Sequence, residues 1–279
     1  MTQYVCNLVI PGAAKSGTSS LHELLDQHSK ICMSRPKEPH HFAIDSRYHR
    51  GPAAHNCIFR KGGEEIFFGE SSTLYMPLEK VIGRIEKNVR NPKIIFLLRD
   101  PLERCISHYK WMYRLGYETR QPRRAFEEDG FGLDPEKRWG GNYKSYLGFS
   151  SYSRCVPMWE EAFGSENVLC IRSDDFKRSH QEVAHACFKF LGLKNEIVSN
   201  VSTNETSETF RVAPPAWLGI MEKWIPVRLK RLIRYKKIRN TALRPFTRIP
   251  PEEFDDADLL WLKQILRDDI EFFESISGI

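Results

Sequence analysis

The stretch 5-VCNLVIPGAAKSGTSSLHELL-25 decides how the rest of the chain is read. Val5 to Ile10 is a short run dense in apolar and β-branched residues, the composition of a buried strand. Gly12 and Gly17 bracket a loop of small residues, after which Leu21, Leu24 and Leu25 recur at helical spacing. Strand, glycine-rich loop and helix together point backbone N–H groups and a helix N-terminus at an anion. Lys15 adds a full positive charge, and Ser16, Thr18, Ser19 and Ser20 add hydroxyl donors. A phosphate is the expected guest. The plainer alternative is a strand-to-helix turn eased by glycine and capped by Ser or Thr.

The loop departs from the nucleotide P-loop, which needs Gly, four residues, then Gly-Lys-Ser/Thr. Gly12 and Gly17 have that separation, but Thr18 stands where the lysine belongs and Lys15 lies inside the loop. The displaced lysine points away from a magnesium-bound triphosphate.

Two further segments gather around this one. KIIFLLRDP (93–101) is the clearest buried strand, and its apolar run Ile94 to Leu98 ends abruptly in Arg99-Asp100-Pro101. In open α/β sheets ligands sit beyond the carboxyl ends of strands, which is where Arg99 stands. Pro101 suits the first turn of a following helix carrying Arg104, Ser107 and His108. Pairing of Arg99 with Asp100, or capping of its own helix, is the alternative. In KICMSRPKEPHHFA (30–43), Ile31–Met33 reads as a short strand. Pro36 and Pro39 then enforce an extended loop carrying Lys37, Glu38, His40 and His41. Titratable side chains so dense beside an anion loop point to chemistry, although a solvated polar loop has the same composition.

The remaining chain alternates between strand and helix patterns. IFFGESSTLY (66–75) reads as a strand ending at Gly69-Glu70, Leu78 to Val89 as a helix, and ENVLCIRSDDF (166–176) as a buried strand before an acidic turn. Tyr143 to Phe163, Val183 to Leu191 and Pro251 to Phe273 have helical spacing, with Tyr146, Val156, Trp159 and Phe163 as core candidates. Residues 44–65 read as polar and irregular, 114–140 as a substrate-side insertion, and 195–216 as a loop containing Arg211. The expected fold is α/β, one domain over 1–279 with a central, mostly parallel sheet flanked by helices.

Composition narrows the partners. With 279 residues, 41% hydrophobic and 28% charged, the chain can bury a substantial core. The net charge of +6 favours anionic ligands. The basic run 223–248 reads as a solvated face or a surface for an acidic acceptor, and nucleic acid is not the expected partner. No apolar run reaches the ~20 residues of a membrane span. The first residues lead straight into the proposed strand, leaving no room for a signal peptide. Seven cysteines without a CxxC pair argue for a reducing compartment and against a zinc site, so a cytoplasmic location is expected.

Taken together, GAAKSGTSSL, RPKEPHHF, GESSTLY, IIFLLRDPLERCISHY and the terminal helix resemble the sulfotransferases that use 3′-phosphoadenosine 5′-phosphosulfate (PAPS). The carbohydrate branch typified by heparan sulfate sulfotransferase domains is the closer likeness. The resemblance implies that Lys15, Ser16, Gly17, Thr18 and Ser19 clasp the 5′-phosphosulfate and that Arg99 and Ser107 hold the 3′-phosphate. It also implies that Glu38 is the general base, with Lys37 and Glu70 on the acceptor side. The family's later Lys/Arg-Gly-Arg-x-His-Pro loop has no match, and Arg211 is taken as its substitute. Ser71 stands where the family often has Lys.

The implied reaction is sulfuryl transfer from PAPS to a hydroxyl or amine of a small-molecule or glycan acceptor, leaving 3′,5′-adenosine bisphosphate. Lys15 would stabilise the leaving oxygen, and Glu38 would take the proton. His41 is the second candidate base. No metal is expected, because Lys and Arg can neutralise the charge. A P-loop ATP-dependent kinase and a non-catalytic nucleotide- or glycan-binding module are the alternatives.

Overall fold

The structure is a computed structural model that describes residues 3–60, 63–114, 118–129, 145–201 and 254–279. Its strands are β1 (Leu8–Gly12), β2 (Ile31–Met33), β3 (Phe67–Ser71), β4 (Lys93–Leu98) and β5 (Val168–Arg172). They form a five-stranded sheet in the order β2-β3-β1-β4-β5. Every neighbouring pair is parallel. From β1 the chain moves to one side of the sheet, and from β4 to the other. The crevice at the carboxyl ends of these two neighbours is therefore the topological switch point, where such sheets bind ligands.

Parallel strands buried on both faces need near-continuous apolar runs, as β1 shows and β4 shows from Ile94 onward. Val9, Ile94, Phe96 and Leu98 face one helical layer, built from α4 (Glu79–Asn88), α7 (Tyr152–Phe163) and α11 (Arg267–Ser275). Leu8, Ile10, Ile95 and Leu97 face the other, built from α1 (Thr18–Leu25), α8 (Ser173–Arg178) and α9 (His180–Phe190). A third cluster joins α5 (Pro101–Arg114), α6 (Pro122–Glu127) and α10 (Asp256–Ile265). Trp159 anchors the first layer: its ring meets Phe96 edge-on at 5.9 Å and its indole N–H donates to the Met76 carbonyl at 3.0 Å. No helix among the described residues is long and apolar enough to cross a membrane.

Several boundaries differ from expectation, each for a local reason. The first strand begins at Leu8, not Val5, because the Val5 N–H is taken by the Asn56 side chain. The segment 44–65 contains two short helices, α2 (Asp45–Tyr48) and α3 (Gly51–Asn56). The expected 143–163 helix starts only at Tyr152, after a 3-10 turn at Gly148–Ser150, and Tyr143 lies outside the described residues. The helix near 183 starts earlier, at His180, because Ser179 caps it by accepting from the Glu182 N–H. Such a Ser-x-x-Glu signal was present in the sequence. The acidic turn after β5 is α8, and β5 is a partly exposed edge strand rather than a buried one. The terminal helix breaks at Leu266 into α10 and α11.

Candidate active site

The loop after β1 is fixed by its neighbours before any ligand is considered. The Ala13 N–H donates to the Leu97 carbonyl of β4 at 2.8 Å, which ties the loop to the switch point. Lys15 has φ 73° and Gly17 φ 101°, both left-handed. At Gly17 that conformation suits only a residue without Cβ, and it turns the chain directly into α1. No side chain caps α1; the Ser20 N–H donates to the Gly17 carbonyl at 3.0 Å, and the N–H groups before it lie at the positive end of the helix, where an anion is favoured. Gly17 is exposed and Lys15 and Ser19 half-buried, whereas Ser16 and Thr18 are buried. The Lys15 ammonium lies over the Trp111 ring of α5, 5.2 Å from its centroid.

Arg99 follows β4, as the sequence placed it. Its guanidinium makes two bonds, of 3.0 and 2.8 Å, to Oε2 of Glu103 one turn into α5. It pairs with Glu103 and not with Asp100, whose carboxylate caps α5 by accepting from the Glu103 N–H at 2.8 Å. Ser107 is half-buried on α5. Arg104, on the same helix, is fully buried and bonds Ser150 and the Tyr146 carbonyl. Arg211 lies outside the described residues, as does the basic segment 223–248.

Glu38 sits at the carboxyl end of β3, beside β1. Its N–H donates to the Ser71 carbonyl at 3.0 Å. Oε1 of Glu38 accepts from Lys37 Nζ at 3.0 Å and from the Thr73 hydroxyl at 3.1 Å, and Oε2 lies 3.4 Å from His40 Nε2. Its side chain keeps 29% exposure, so the carboxylate is oriented but reachable. Burial lowers the His40 pKa, against the pull of Glu38. From α1, His22 contacts the Ser71 hydroxyl with Nδ1 at 2.9 Å and the Ser34 carbonyl with Nε2 at 3.2 Å. Burial holds His22 near pKa 4, and the nearby Lys37 adds to the effect.

Two expected site residues are placed elsewhere. His41 is buried, with Nε2 3.0 Å from the Tyr4 hydroxyl and its ring 4.5 Å from that of His55. Burial, with His55 next in size, pushes its pKa down to about 3, which leaves it a neutral packing group. Glu70 is fully buried, and its carboxylate accepts from Tyr75 and Ser72. It therefore cannot meet an acceptor. The Cys6 thiol, His55 and Glu70 bring ligand-type atoms within 4.8 Å of one another. The Glu70 oxygens accept from Tyr75 and Ser72, and His55 Nε2 lies 3.3 Å from Oε1, although neither buried His55 ring nitrogen makes a hydrogen bond among the described residues.

The sequence reading also missed Tyr152, Ser72, Thr73 and Tyr75. Tyr152 is fully buried, and burial raises its pKa well above that of a free phenol. GESSTLY marked the three residues after β3 as a unit but carried no sign of which hydroxyl meets which partner.

Comparisons with known proteins bear on the family and the fold. A family model described as "Sulfotransferase domain" matches residues 7–218. The membrane-associated sulfotransferase kil1 of Dictyostelium discoideum is 31% identical over 115 residues, covering 39% of this chain and 24% of that one. Heparan sulfate glucosamine 3-O-sulfotransferase 5 of Mus musculus is 23% identical over 197 residues, covering 71% of this chain and 56% of that one. The chain thus spans between 24% and 56% of the length of these curated relatives. Among solved structures, a sulfotransferase from Alicyclobacillus acidocaldarius superposes with a TM-score of 0.60 at 25% identity, covering 86% of this chain and 98% of that one.

Proposed function

The chain belongs to the sulfotransferase domain family, and from that premise we propose that it moves a sulfuryl group from PAPS to a hydroxyl or amine of a carbohydrate-type acceptor. The observation that carries this reading is the meeting of three chemistries at the carboxyl ends of adjacent strands. The uncapped Lys15–Ser19 loop follows β1, Arg99 follows β4, and the oriented but reachable Glu38 is bonded to the end of β3.

The residues fit a nucleotide with phosphate groups at both ends. First-turn N–H groups and Lys15 would hold the phosphosulfate, and Arg99 with Ser107 the 3′-phosphate. Arg211 is retained as a further nucleotide contact on the resemblance alone. PAPS supplies the activated sulfuryl group. In the reaction the acceptor oxygen or nitrogen forms a bond to sulfur, and the bond from sulfur to the 5′-phosphate oxygen breaks. The electron pair of that bond stays on the departing 3′,5′-adenosine bisphosphate, where Lys15 and the loop amides stabilise it. The acceptor proton goes to Glu38, whose carboxylate Lys37 and Thr73 orient. The burial of His41 counts against it as the base and supports Glu38 in that role. The displaced Lys15, away from the position a nucleotide P-loop requires, counts against a magnesium-dependent kinase.

The test is calorimetric titration with 3′,5′-adenosine bisphosphate against AMP and ATP–Mg²⁺, on the wild type and Arg99→Ala, followed by labelled-sulfate transfer to desulfated heparan oligosaccharides. Binding of the bisphosphate alone, weakened in the variant, is expected. Preference for ATP–Mg²⁺ would return the loop to the kinase reading.

A further inference from the structure

A carboxylate with no exposure is costly unless its partners repay the lost hydration. The partners of Glu70 are unusual in what they do next. Tyr75 Oη lies 3.2 Å from each Glu70 oxygen, and Ser72 Oγ lies 3.3 Å from Oε2. In these contacts both hydroxyls donate, so both protons are directed at Glu70. The lone pairs of the same hydroxyls then face the loop that carries Glu38. Tyr75 Oη accepts from the Phe42 N–H at 2.9 Å, and Ser72 Oγ accepts from the His40 N–H at 3.1 Å. With the Glu38 N–H on the Ser71 carbonyl at 3.0 Å, alternate amides of 38–42 are clamped to the turn after β3.

The loop needs such a clamp. Glu38 has φ 56° and His40 φ 50°, left-handed conformations that non-glycine residues hold only when the surroundings over-determine them. A free hydroxyl can rotate and present either its proton or a lone pair. One that donates to a buried carboxylate presents only a lone pair to the amide.

We propose that Glu70 is a positioning residue for Glu38: by ordering the protons of Ser72 and Tyr75 it keeps their lone pairs for the His40 and Phe42 amides and holds the strained loop in its working shape. The proposal rests on Glu38 being the base, and it replaces the expectation that Glu70 meets the acceptor. In Glu70→Gln the amide NH₂ faces one of the two hydroxyls, whose proton is then no longer held on residue 70 and is free to rotate against the loop N–H. In Tyr75→Phe the acceptor for Phe42 is lost while Glu70 remains.

Two measurements test this. The first is amide hydrogen exchange at residues 38–42 in the whole chain, for wild type, Glu70→Gln and Tyr75→Phe. Protection of the His40 or Phe42 amides should fall about tenfold or more, while amides of β1 and β4 keep theirs. Unchanged protection in both variants overturns the proposal, whatever the activity. The second is labelled-sulfate transfer from PAPS to desulfated heparan oligosaccharides, in a cycle with Glu38→Gln. Glu70→Gln should lower kcat about tenfold with the dissociation constant for 3′,5′-adenosine bisphosphate within about twofold of wild type. The double variant should be no slower than Glu38→Gln alone, because residues acting through one group are not additive. Fully additive losses would make Glu70 merely structural and sink the idea. Full turnover in Glu38→Gln would instead remove the base assignment, and the exchange result would still decide whether Glu70 orders the loop.

Discussion

The two sides of the crevice are built on opposite plans. On the β1–β4 side the backbone is held by the sheet and turns at the left-handed Lys15 and Gly17, and the charged side chains rest against partners a ligand can replace, among them Trp111 for Lys15 and Glu103 for Arg99. On the β3 side the backbone is strained, and its shape depends on a network of hydroxyls, histidines and a buried carboxylate. The first plan leaves cations free to exchange partners for a ligand. The second fixes one carboxylate in one place. Substitutions on the first side should therefore change how the nucleotide is held, and those on the second should change turnover with binding intact.

The largest effect is expected where the first side touches the reacting group. Lys15→Met should lower kcat by about 10²–10³-fold, the range for loss of a donor at developing charge. Glu38→Gln should cost about 10²-fold in kcat while the affinity for 3′,5′-adenosine bisphosphate measured by calorimetry stays put. A comparable loss of affinity in that variant would erase the contrast between the sides. Arg99→Ala should weaken bisphosphate binding by about tenfold or more, as expected for lost charge-assisted bonds, with acceptor KM unchanged.

Acid should separate the sides by stability. His41 and His22, with pKa values pushed to about 3 and about 4, are neutral in the fold but protonate near 6.5 once unfolded. The unfolded chain then binds more protons, so stability is fully present above about pH 6.5 and is lost as pH falls toward those folded values. Urea midpoints should drop between pH 6.5 and 5 by an amount equivalent to about 3 kcal/mol, shared about equally between the two histidines. His22→Gln should flatten that slope, and an unchanged slope would remove His22 from the account. The smallest effect is expected from Glu103→Gln. Freeing Arg99 from a partly exposed pair should tighten bisphosphate binding about two- to fivefold, the scale of a surface ion pair.

What was readable in the chain follows the same division. The β1 loop, the apolar run of β4 and the Arg99 that ends it are contiguous, and each carries its own pattern of glycine, charge and apolar spacing. The acceptor side was read only in part. RPKEPHHF announced Glu38, but its neighbours His40 and His41 look alike in sequence and differ completely in place. One faces Glu38 and the other packs against Tyr4 and His55. Glu70, expected at the acceptor, lies behind the loop it supports. The break at Leu266 and the late start of α7 were equally hidden, since the same apolar spacing runs across both.

By itself the sequence determined the alternation of strand and helix, the anion loop with its displaced lysine, and the cation at the end of β4, because all of these are local. Which side of a loop faces the crevice, and which hydroxyl orders which amide, was decided only when the parallel crossovers set β3 beside β1. That step brings Thr73 to Glu38 across 35 residues of chain and Tyr75 to Phe42 across 33. The physical reason is burial: a carboxylate removed from water takes its role from the donors that tertiary packing delivers, and neighbours in sequence do not specify them.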